Sequence, residues 1–307
     1  MPTNQACGLP ESDLSKAVLN NLWFLLLCPG LPFAILMVWF QWYVRRRDKL
    51  KRRPFNEMTR PAGWSLQSRI EDLVTDLDLN LMMILAAGGI AWAVSLGQKH
   101  PLVILAFGTA ASSFFAYRVA KLTLNISNHR LGLRGEQVVG LILDRLSSDT
   151  IRVFHDLEVI EPGKKPWNID HIVVTSAGVF AIETKSRRKP KDTAPDAQQG
   201  HKITFDGQQL IFPAPMQPDR YGLDQALRNA NWLADKLTAL NGTPIQVTPV
   251  LVFPGWWIDA KGKGPVTVLN PKGIASCISG RPSALSAVQM RAISAQLDER
   301  CRIDLTR

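Results

Sequence analysis

From Leu22 to Val44 the chain carries no charged side chain. Such a run is long enough to cross the ~30 Å hydrocarbon core of a bilayer. Two further apolar runs, 79–96 and 102–122, are separated only by Gly97-Gln98-Lys99-His100-Pro101. In lipid every backbone polar group must be satisfied within its own segment, so these runs are expected as helices. Pro29-Gly30 and Pro32 should kink the first. The second and third read as a transmembrane hairpin, with Asp78 and Asn80 at its start. A pair of buried helices in a soluble protein is the alternative, and three long runs with so few charges speak against it.

Basic residues orient the spans. Arg45-Arg46-Arg47-Asp48-Lys49-Leu50-Lys51-Arg52-Arg53 follows the first run directly, whereas the tail before it carries only Lys16 against Glu11 and Asp13. Positive charge stays on the cytoplasmic side, so the loop 45–77 is expected there and the N-terminal tail, 1–20, outside. Three spans within an anchor over 21–125 then return residues 126–307 to the cytoplasm, at a bacterial-type inner membrane. No basic region precedes the first run, which argues against a removable signal. The basic cluster is expected to meet anionic headgroups. Cys7, Cys28, Cys277 and Cys301 are scattered, and suit neither a disulfide framework nor a zinc site. The net charge of +10 suits contact with a polyanion.

The soluble half holds the chemistry. Asn168 to Lys185 reads as two apolar strands joined by a tight Ser176-Ala177-Gly178 turn. A turn centred near Ala177 places Asp170 across from Glu183 and Thr184. Glu183 and Lys185, two apart, point to one face of their strand. Two carboxylates and a lysine at the open end of an apolar hairpin form a plausible divalent-metal site with a cationic helper, equipment for phosphodiester hydrolysis. A simple salt bridge between Asp170 and Lys185 is the competing account. His171 is aimed at the opposite face and reads as a core or supporting histidine.

This block resembles the nuclease-related (NERD) domain, a branch of the PD-(D/E)XK nuclease superfamily. The resemblance rests on Gly135-Glu136 opening a helix, Ile169-Asp170-His171 on a strand, and Gly178-Val179-Phe180-Ala181-Ile182-Glu183-Thr184-Lys185 on the next. A later helix with Asp224-Gln225-Ala226-Leu227-Arg228-Asn229-Ala230 also fits. It covers roughly residues 130 to 275. It implies an α/β, restriction-endonuclease-like core of order α-β-β-β-α-β, here preceded by three transmembrane helices. It also implies Mg²⁺ or Mn²⁺ as cofactor, held by Asp170, Glu183, the Thr184 carbonyl and Glu136, with Lys185 as catalytic cation and Gln225 supporting the site. For Glu136 a first-turn position favoured by the helix dipole is an equal alternative.

Around the hairpin the pattern gives a helix near Leu133–Leu146, a strand over Ile151–Ile160 and a small hairpin from Lys202 to Phe212. An amphipathic helix over Tyr221–Leu240, strands at Val247–Phe253 and Val266–Leu269, and a closing helix over Leu285–Leu297 complete it. Arg187, Arg188, Lys189 and Lys191 leave the active strand directly and are offered for phosphate contact. Trp256-Trp257 reads as loop or bilayer-surface packing rather than base stacking. The expected activity is a membrane-anchored, metal-dependent nuclease acting on nucleic acid, DNA before RNA. An inactive nucleic-acid or protein docking module on the same tether is the alternative.

Overall fold

The computed structural model describes residues 57–95, 98–190 and 201–304, together with Trp39, Trp42, Tyr43 and Arg46. The first apolar run and the basic cluster therefore fall largely outside the described residues, as do Lys191 and the loop after it. The chain divides into two compact units, Met1–Phe55 with Leu73–Asn125 and Asn56–Asp72 with Ile126–Arg307. The second unit thus takes in part of the stretch that the sequence assigns to the basic loop.

A short strand β1 (Glu57–Thr59) precedes α1 (Trp64–Ser95), and α2 follows over Pro101–Leu146. Both helices are long and apolar enough to cross a membrane, and Leu85, Trp92, Leu102 and Phe107 stay exposed along them. In the first unit small residues let them approach: a Cβ on Gly108 would fall 2.1 Å from that of Ala91.

One correction concerns α2. The sequence places the third span at 102–122 and starts a separate helix near Gly135, but a single helix runs through both. Each helical glycine costs about 1 kcal/mol against alanine, yet these permit close contacts. Gly132 packs against Leu66, Gly135 against Ser186 and Gly140 against Ala62. A Cβ on Gly140 would stand 2.5 Å from the Ala62 Cβ, which cannot swing aside. Gly140→Val is therefore expected to destabilise the protein by about 1–3 kcal/mol, seen as a lower unfolding midpoint. An unchanged midpoint would mean that Ala62 gives way freely.

The second unit is built on a mixed sheet. β2 (Ile151–Val159), β3 (Trp167–Thr175) and β4 (Gly178–Thr184) are antiparallel neighbours. β7 (Val247–Val252) and β9 (Thr267–Leu269) extend β4 in parallel, giving the order β2-β3-β4-β7-β9. A side sheet joins β5 (Lys202–Phe205), β6 (Leu210–Ile211) and β8 (Trp257–Ala260). α3 (Tyr221–Asn241) connects to β7, α4 (Ile274–Ser279) and α5 (Ala287–Arg300) follow, and β10 (Arg302–Asp304) pairs with β1.

Strand alternation sorts the core. Val173, Phe180 and Ile182 pack against Val139 and Leu143 of α2. Ile172, Val174, Val179 and Ala181 meet Ala230, Leu233 and Leu237 of α3, with Ile293 and Leu297 of α5. β3 and β4 are thus covered on both faces, which explains their nearly unbroken apolar sequence. Leaving aside the small β5–β6 hairpin, the order through β7 is α-β-β-β-α-β. This mixed α/β sheet is compatible with a nuclease fold.

Candidate active site

The turn fixes the register on which the site depends. Thr175 pairs with Gly178 and His171 with Ile182. Carrying that register one step further sets Asp170 opposite Glu183, at the end of β4 that lies beside β7. The Thr184 amide donates to Asp170 Oδ2 at 2.7 Å. The Lys185 amide donates to the Val252 carbonyl at 2.9 Å, which keeps the chain beside β7 just past the strand.

Two side chains close on Glu183, which is 2% exposed. Lys185 Nζ donates to its Oε1 at 2.7 Å and to Gln225 Oε1 at 2.9 Å. Asn229 Nδ2 donates to its Oε2 at 2.9 Å. Gln225 and Asn229 sit one turn apart on α3 and so share a face. The Lys185 ammonium also lies over the Tyr221 ring, 5.4 Å from its centroid.

Glu136 enters from α2 and is buried. It lies deep in that helix rather than in a first turn, so the dipole account of its charge does not hold. Its Oε2 has no hydrogen-bond partner. Burial raises its pKa to about 8, Asp156 and Glu183 add to the rise, and Lys185 opposes it. Asp170 is pushed well above the usual carboxylate range by burial, then by Glu183 and Glu136. Burial also raises Glu183, against the pull of Lys185, Arg228 and Asn229. Burial works against the ammonium of Lys185, but Glu183 and Asp170 outweigh it and the pKa is raised. Lys185 is therefore a cation, not a base.

Three carboxyl groups thus crowd one buried region beside the Lys185 ammonium. Among the described residues no three His, Cys, Asp or Glu side chains form a preformed metal cage. The donor chemistry nevertheless fits a hard cation: carboxyl oxygens, one of them buried without a partner among the described residues, whose ionisation a bound cation would favour. The hydroxyls of Thr184 and Ser186 are also buried without partners nearby.

The structure does not gather every residue the sequence singles out. Arg187 pairs with Asp219 and stacks over Phe212, 5.0 Å from the ring centroid. Arg188 donates to Asn128 Oδ1 at 2.7 Å and Ser127 Oγ at 2.9 Å. Lys189 lies 5.8 Å from the Trp256 ring centroid. Each of these three cations has a contact within the protein. Trp256 is buried and donates to the Arg187 carbonyl at 3.2 Å, whereas Trp257 is exposed.

His171 lies on the α2 face. Its Nδ1 meets that of His155 at 2.9 Å, and His155 Nε2 meets Asp144 Oδ1 at 2.9 Å. Burial and the neighbouring His155 hold its pKa well below the ordinary value, so it stays neutral.

Two residues at the site were not singled out in the sequence. Asn229 could have been found as the residue one turn beyond Gln225. Asp156 had no signal: it is fully buried at φ 52° and accepts from the Ser65 amide at 2.6 Å and from Asn168 Nδ2 at 2.7 Å.

A mixed sheet between helices, with acids and a lysine at the end of one buried hairpin, is compatible with a nuclease fold. Residues 131–254 match the family model described as Nuclease-related domain, NERD. This stretch holds Glu136, Asp170, Glu183, Lys185, Gln225 and Asn229. No curated protein and no solved structure matches the chain.

Proposed function

We propose that this protein is a membrane-anchored, metal-dependent nuclease that hydrolyses phosphodiester bonds, with DNA as its substrate before RNA. One observation carries the reading: Glu136, Asp170 and Glu183 are buried together beside Lys185, three carboxyl groups whose ionised forms are costly there unless a cation joins them. Asp170, Glu183, Glu136 and the Thr184 carbonyl would hold Mg²⁺ or Mn²⁺. When bound, the cation supplies Lewis-acid stabilisation of the phosphate and eases ionisation of water.

The chain's own groups do the rest. Lys185, fixed by Glu183 and Gln225, sets a positive charge where negative charge builds on the phosphoryl oxygens. Asn229 holds Glu183 so that Oε1 keeps facing the ammonium. The attacking water's oxygen bonds to phosphorus and releases its proton to solvent, while the bond to the leaving sugar oxygen breaks and that oxygen takes up a proton from solvent. α1 and α2 are the proposed tether to a cytoplasmic membrane, which places the domain near nucleic acid at the envelope.

The closed Lys185–Glu183 pair favours one second reading, a docking module in which the lysine permanently replaces the metal. Incubating the full-length protein in detergent with plasmid and single-stranded DNA separates the two. Mg²⁺ or Mn²⁺ is expected to support cleavage and EDTA to end it. Lys185→Ala should slow cleavage about 10²–10³-fold. Cleavage that persists undiminished in Lys185→Ala belongs to another site, and no cleavage with either metal leaves the docking module.

A further inference from the structure

A cleft of about 770 Å³ opens beside α3, lined among others by Lys164, Lys165, Trp167, Arg228 and Trp232. That volume is in the range of about 300–1,000 Å³ usual for ligand sites. Helical spacing fixes its place. Gln225 meets Lys185 and Asn229 meets Glu183, while Asp224, Arg228 and Asp235 occupy the adjoining stripe of the same helix. The cleft therefore flanks the acidic site, close enough for the Arg228 charge to act on Glu183.

Three acids, Glu161, Asp224 and Asp235, and three cations, Lys164, Lys165 and Arg228, line it, but they are not all paired with one another. Glu161 accepts from Lys164 Nζ and from Trp232 Nε1, each at 2.8 Å, and Asp224 lies 3.7 Å from Arg220. Lys165 and Arg228 have no hydrogen-bond or ion-pair partner among the described residues. Trp167 and Trp232 meet edge to face, 6.2 Å between centroids, and form a half-buried aromatic wall. Arg187, Arg188 and Lys189, by contrast, are held by partners of their own.

We propose that this cleft is the substrate groove of the nuclease-related site and takes single-stranded nucleic acid, with phosphates at Lys165 and Arg228 and an unpaired base against Trp232. The proposal rests on the nuclease reading for the fate of the strand, but not for its binding. Paired bases keep their faces stacked inside a duplex, so an indole wall rewards only a strand whose bases are free. Lysine and arginine supply the sequence-independent grip on the backbone.

The test is fluorescence anisotropy of the full-length protein in EDTA, with a labelled single strand of about 12 nucleotides and its duplex. The single strand is expected to bind tighter than the duplex. Lys165→Glu with Arg228→Glu should weaken single-strand binding about tenfold or more and lower the salt slope by about 1.4. Lys261→Glu with Lys263→Glu, the same change of charge outside the cleft, should leave binding within about twofold. Equal losses in the two double variants, no loss in either, or duplex binding as tight as single-strand binding would overturn the proposal. Cleavage is scored separately in Mg²⁺. Cleft-dependent binding without cleavage keeps the groove and removes the nuclease reading, and cleavage without cleft-dependent binding does the reverse.

Discussion

Asp170→Asn is expected to lower cleavage by a factor on the order of 10³ while leaving the metal-free protein at least as stable as the wild type. The two effects come from one environment. Asp170 is buried beside Glu183 and Glu136, and among the described residues only the Thr184 amide donates to it. Asparagine keeps the shape and the acceptor for that amide but removes an ionisable group whose charged form is costly there. A residue kept for packing would behave in the opposite way, losing stability along with activity. Paired cleavage rates and unfolding midpoints decide it. Wild-type cleavage by the variant ends the ligand role, and inactivity explained by a lower midpoint moves Asp170 to the scaffold.

The second large effect is on pH dependence. Burial, Asp156 and Glu183 lift Glu136 from an ordinary value of 4.5 to about 8 in the folded protein. The folded state then holds a proton that the unfolded chain releases, so its contribution is complete below pH 4.5 and vanishes as pH rises through 8. Asp170 and Glu183, both raised, act in the same direction. His171, lowered from 6.5, acts in the opposite direction at more acidic pH, so the clean window is about 6.5 to 8. Across it the protein in EDTA is expected to lose stability, on the order of a few kcal/mol, and Glu136→Gln should flatten the decline. Millimolar Mg²⁺ should restore stability at pH 8, because a ligand that binds only the folded form stabilises it. A midpoint in EDTA that is constant or rises from pH 6.5 to 8 refutes the clustering of these acids.

Much of the hairpin could be read from the chain because its determinants are local. A two-residue turn and strict alternation set which residues face one another, and Thr175 opposite Gly178 leaves no freedom for Asp170. The amphipathic stripe of α3 followed from spacing for the same reason, with Leu223, Ala226, Ala230, Leu233 and Leu237 buried. What escaped depends on distant partners. Gly135 looked like a helix start because its fit against Ser186 lies across the fold. The segment around Ala62 and Ser65 looked like membrane loop, because its attachment to Asp156 and Gly140 cannot be seen in its own composition. Arg187 and Arg188 looked free because their partners, Asp219, Ser127 and Asn128, are remote in sequence.

All seven residues of β4 are buried, and both its neighbours are hydrogen-bonded to it. The backbone amides under the reactive groups should therefore be among the last to exchange with deuterium, opening only when the whole unit does. On gentle warming, catalytic competence should persist up to the cooperative melt, with no earlier local loosening to silence it.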